Sequence, residues 1–73
     1  MQQWLGLDAL AAFTLRRIEA RDWHVSAHFV NGTTEFHAVR EDPLKVHIAR
    51  CDDGNDGDHQ FRVAKLLAEG IGL

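Results

Sequence analysis

Apolar and polar residues alternate from Trp23 to Cys51, and on either side of that stretch the apolar residues recur at helical spacing. Three runs, 23–30, 33–40 and 44–51, read as strands separated by Asn31-Gly32 and by a turn around Asp42-Pro43. Asn-Gly between alternating runs marks a tight hairpin, because both central residues of a type I′ turn take positive φ. A two-residue turn pairs Val30 with Thr33, Phe29 with Thr34, His28 with Glu35, Ala27 with Phe36 and Ser26 with His37. Trp23, Val25, Ala27 and Phe29 then share a face with Phe36 and Ala38, and Leu44, Val46 and Ile48 are expected to extend it. The opposite face is expected to carry His24, Ser26 and His28, then Glu35, His37 and Val39, then Lys45, His47, Ala49 and Cys51. Four of the five histidines would lie there. The pairing of the second and third strands stays open: a three-residue loop at 41–43 sets His37 opposite His47, and a shifted loop sets His47 opposite Val39 and Cys51 opposite Glu35.

Before the strands, Leu7, Ala11, Thr14, Leu15 and Ile18 form a helical stripe with Leu10 at its edge, joined by Trp4 if the helix begins early. Asp8 is placed to cap it. Leu5 and Phe13 lie off the stripe, as the wide edge of the core or as exposed contacts. The helix is expected to end near Arg21-Asp22, with Arg16, Arg17 and Arg21 at the negative end of its dipole. A last helix is expected over 59–69, burying Phe61, Ala64, Leu67 and Ala68, with Asp58 as its cap, Gly70 in the left-handed position after it and Ile71 folding back. Both apolar stripes are buried if the helices pack on one face of the sheet. The fold class is therefore α+β: a two-layer α-β-β-β-α sandwich with a three-stranded antiparallel meander and both helices on one face.

At 73 residues the chain is expected to form one compact domain of modest stability, and its 45% hydrophobic and 26% charged content is that of a globular protein. A single cysteine excludes an internal disulfide and zinc sites that need several thiolates. With no signal-like or membrane-spanning apolar run, the sequence reads as a soluble, cytoplasmic protein with no membrane partner. The net charge of −3 disfavours general attraction to nucleic acid. Pro43 and Lys45 discourage pairing of the third-strand edge, which makes a monomer or weak dimer the expected state.

The most polar stretch, 52–58, invites comparison with calcium loops, and the comparison fails: counting from Asp52, Gly54 stands third and Val63 twelfth, where oxygen ligands are required. Histidines and Cys51 on neighbouring strands are chemically suited to a transition metal, yet no helical H-x-x-x-H pair or C-x-x-C supports a dedicated site. General acid–base work by the histidines would need a phosphate-binding pocket. No glycine-rich phosphate loop, nucleophile elbow or paired-carboxylate motif is present, so no catalytic residue, metal or cofactor is assigned. The favoured reading is a non-enzymatic protein-binding module, a regulator or inhibitor of a nucleic-acid-handling protein. Its contacts are His28, Glu35, His37 and His47 on the sheet and Asp53, Asp56 and Asp58 in the acidic loop, which presents phosphate-like charge. The alternative is an RNA-binding or ribonuclease-toxin-like domain using Arg16, Arg17, Lys45 and Arg50.

The order of elements resembles double-stranded RNA-binding domains and HicA-type toxins, and residues 62–70 loosely resemble the closing helix of either. Where the former cluster lysines, this chain has Asp56, Gly57, Asp58 and His59. Where the latter place a histidine after glycine-serine, Gly32 is followed by Thr33 and Thr34. Neither family's functional residues carry over.

Overall fold

The computed structural model describes residues 6–73, so the expectations for Trp4 and Leu5 lie outside the described residues. The elements are α1 (Ala9–Glu19), β1 (His24–Val30), β2 (Thr33–Glu41), β3 (Leu44–Cys51) and α2 (Gly57–Ile71). The strands form one antiparallel sheet in the order β1-β2-β3, with both helices on one face, as the periodicities require.

Asp8 caps α1: its carboxylate accepts from the backbone N–H groups of Leu10 and Ala11 at 3.0 and 3.1 Å. Its own N–H donates to Gln60 Oε1 at 2.7 Å, and Gln60 Nε2 donates to the Asn55 carbonyl at 2.8 Å. One glutamine thus joins the start of α1 to the segment that launches α2. The helix ends at Glu19, slightly earlier than expected, and Asp22 at φ 68° turns the chain into β1.

The first hairpin has the register that Asn-Gly dictates. Asn31 and Gly32 take φ of 53° and 77°, and all five expected β1–β2 pairs form. Val25, Phe36 and Ala38 are buried against Ala11, Leu15 and Ile18 of α1 and Val63, Ala64 and Leu67 of α2. Ala12 is buried as well, although it lies outside the expected stripe.

The third strand faces the other way from the expected one. The turn holds only Asp42 and Pro43, with a cis peptide between them, and sets Glu41 opposite Leu44, Ala38 opposite His47 and Phe36 opposite Ala49. This register lies one residue from each of the two alternatives, and a one-residue slip inverts every side chain. Leu44, Val46 and Ile48 therefore point away from the helices and are 71%, 53% and 57% exposed. Lys45, His47, Ala49 and Cys51 take the helix side. Two features let small and polar residues serve there. Trp23, opposite the Arg40 position on β2, is buried, with its ring edge-on to His47 at 5.3 Å and the Arg40 guanidinium 4.9 Å from its centre. Ala49, Ala64 and Ala68 allow α2 to lie close to β3.

The second helix starts two residues earlier than expected because Asp56, not Asp58, is the cap; its carboxylate accepts from the His59 N–H at 3.1 Å. Asp58 sits in the first turn, where its charge still meets the positive end of the dipole. With that start the buried stripe is Val63, Ala64, Leu67 and Ala68, and Phe61 moves to a half-buried edge. The left-handed residue after the helix is Gly72 at φ 96°, not Gly70, and the Leu73 N–H reaches back to the Ala68 carbonyl at 2.9 Å.

Candidate functional site

Among the described residues, no element covers the second face of the sheet. Its cross-strand rows follow from the two registers: Val46, Val39 and His24; then Ile48, His37 and Ser26; then Arg50, Glu35 and His28. Polar residues on β1 and β2 thus stand beside an apolar strip on the edge strand β3.

Glu35 is the hub of the polar side. His37 Nε2 donates to Glu35 Oε1 at 2.9 Å, and Arg50 Nη1 lies 3.7 Å from Oε2. The hydrogen bond from His37 holds the Glu35 carboxyl below its ordinary value of 4.5 against the opposing effect of desolvation, and the charges of His37, Arg50 and His28 add to it. The His28 and His37 rings lie 4.4 Å apart at 38°, and Ser26 Oγ is 3.2 Å from His28 Nε2. Beside them a shallow depression of about 220 Å³ is lined by His28, Val30, Asn31, Thr33, Glu35 and Arg50. Among the described residues nothing closes over it, so the cluster is open to hydrogen bonding and charge pairing with groups from solvent.

Arg50 connects this face to the acidic loop. Its Nε donates to Asp52 Oδ1 at 2.6 Å, which raises the Arg50 pKa and sets Asp52 at the rim of the sheet. The loop is anchored from inside by Thr34, fully buried, whose hydroxyl donates to the Gly54 carbonyl at 2.8 Å. Asp53 and Asp58 are exposed. Asp56 belongs to the scaffold: besides capping α2, its Oδ1 lies 2.7 Å from His59 Nδ1, and these hydrogen bonds lower its pKa.

The expected partner-binding residues therefore separate. His28, Glu35 and His37 come together on the open face, Asp53 lies in the loop beyond its rim, and Asp58 lies in the first turn of α2. His47 is on the helix side, half-buried against Trp23, because the β3 register turns it inward; three histidines, His24, His28 and His37, share the open face. Of the basic residues, Arg16 and Arg17 lie in the last turn of α1, Lys45 on the helix side of β3 and Arg50 on the open face, so they form no common patch. Sequence reasoning missed Leu44, Val46 and Ile48 as surface residues. The only available signal was that a two-residue turn at Asp42-Pro43 changes their parity.

Among the described residues, no group of three or more His, Cys, Asp and Glu is placed to hold a metal ion, and no helix is long and apolar enough to cross a membrane. Comparison of the chain with protein-family models, with curated proteins and with solved structures finds no match.

Proposed function

We propose that the chain is a non-enzymatic protein-binding module whose contact surface is the open sheet face together with the exposed aspartates beyond Asp52. The observation that carries this reading is the line of Leu44, Val46 and Ile48, each more than half exposed on a strand whose parity could have buried them. Leaving that much of three aliphatic side chains in water forgoes about 1 kcal/mol each. Positions where a fold departs from its own hydrophobic pattern are where function is expected. The strip supplies an apolar edge, and Glu35, His37, Asp52 and Asp53, with Arg50 paired among them, supply a hydrogen-bonding border that is acidic on balance. The complementary partner has an apolar ridge flanked by lysine or arginine, as on the working surface of a nucleic-acid-handling protein, which this module would regulate or inhibit. Its lone free cysteine fits a reducing, cytoplasmic setting.

The test is capture from a nuclease-treated lysate on the wild-type protein and on two variants. Val46→Glu with Ile48→Glu is expected to abolish retention of a stoichiometric partner. Asp53→Asn with Asp58→Asn is expected to weaken it and to flatten its salt dependence. Equal retention on all three proteins would refute the reading. Binding of RNA at low salt by a sample that retains no protein would replace it with the nucleic-acid alternative.

A further inference from the structure

The helical layer has an outer side too, and its sequence has a second stripe. Leu10, Phe13 and Arg17 of α1, spaced i, i+3 and i+7, face outward between the helices, while Ala11, Leu15 and Ile18 face the sheet. Opposite them stand Phe61 and Lys65 of α2 and Leu73 after it, and together they line an open groove of about 370 Å³. That is at the small end of the roughly 300–1,000 Å³ range that accommodates apolar groups of a ligand. Leu10 is 59% and Phe13 55% exposed. Thr14 also lines the groove, but its hydroxyl already donates to the Leu10 carbonyl at 2.9 Å, leaving that donor engaged.

The charges on the walls indicate an occupant. Arg17 and Lys65 stand on opposite sides and no ion pair joins either to a described residue. Glu69 is the groove's one acidic residue, so its lining is net positive in a chain whose net charge is −3. An apolar floor with Arg17 on one wall and Lys65, beside Glu69, on the other is net positive and matches an amphipathic helix that carries aliphatic residues on one face and carboxylates along its flanks. We infer that the α1/α2 groove is a second docking site, for an acidic amphipathic helix of another protein. It is independent of the sheet-face reading and lies on the opposite layer.

A displayed library of helical peptides tests this, with apolar residues fixed at i, i+3, i+4 and i+7 and the flanking positions random. Selection runs in parallel on wild-type protein, on Phe13→Glu, and on Arg17→Glu combined with Lys65→Glu; all three are checked for an unchanged fold by circular dichroism. The expected result is wild-type binders enriched in Asp and Glu at the flanks, lost on Phe13→Glu and weakened at least tenfold on the double variant. Failure to recover any binder, binders indifferent to Phe13→Glu, or neutral or basic flanks would overturn the inference. So would sedimentation showing that the wild-type protein dimerises and Phe13→Glu does not, because the occupant would then be a second copy.

Discussion

The inverted third strand makes a sharp prediction about two adjacent residues. Ile48 is 57% exposed on the open face, and Ala49 is 9% exposed opposite Phe36 in the core. Fully burying an isoleucine is worth roughly 1.5–3 kcal/mol, so Ile48→Glu, which forfeits less than half of that burial, is expected to cost about 1 kcal/mol. Ala49→Glu forces a carboxylate between Phe36 and α2, where no partner awaits it, and is expected to cost more than about 3 kcal/mol. A chain of 73 residues has a total stability of roughly 4–11 kcal/mol. Toward the low end of that range the second variant is near global unfolding, and the first stays folded across it. Urea denaturation followed by tryptophan fluorescence reads both, since Trp23 is buried in the native state. With a slope near 1 kcal/mol per molar for a small domain, Ile48→Glu moves the midpoint by about 1 M. Ala49→Glu moves it by about 3 M or removes the folded baseline. Had Leu44, Val46 and Ile48 faced the helices, the order would reverse; an unfolded Ile48→Glu beside a stable Ala49→Glu would refute the register and the docking surface proposed on it.

Further predictions test the joints of the scaffold. Thr34→Val keeps the shape of a fully buried residue but orphans the Gly54 carbonyl, so it is expected to cost about 1–2 kcal/mol and to speed amide exchange across residues 52–56. Asp8→Ala removes the acceptor of two helix N–H groups and is expected to cost about 1 kcal/mol by urea denaturation, while Asp8→Asn is expected to be milder. Glu35 has a folded pKa below its unfolded one, so its contribution is present above the unfolded value and is lost as pH falls through the folded value. Denaturation midpoints taken from about pH 6 down to about pH 3 should therefore fall further for wild type than for Glu35→Gln; parallel curves would remove Glu35 as the hub of the cluster.

The parts of the fold that were legible in sequence were those decided locally. Asn31-Gly32 sets its own backbone conformation, and with it the β1–β2 register and the meeting of His28, Glu35 and His37. The helices were legible to within a turn, because several side chains compete for each cap: Asp56 and Asp58 are both acceptable acceptors, and Asp56 prevails because its carboxylate reaches the His59 N–H. The third strand was not legible, because alternation gives the parity of a strand and says nothing of which face it offers. Leu44, Val46 and Ile48 look like core, and only the space left for them decides otherwise. Trp23 and His47 fill one end of the inner face, and Ala49 packs in the core with Ala64 and Ala68 of α2. Exchanging the parity of β3 would drive Val46 and Ile48 into volume already occupied, at the price of overpacking on top of a displaced helix. Packing on the helix side of the sheet thus accompanies the exposure of the apolar strip, and the proposed partner surface depends on how closely α2 approaches β3.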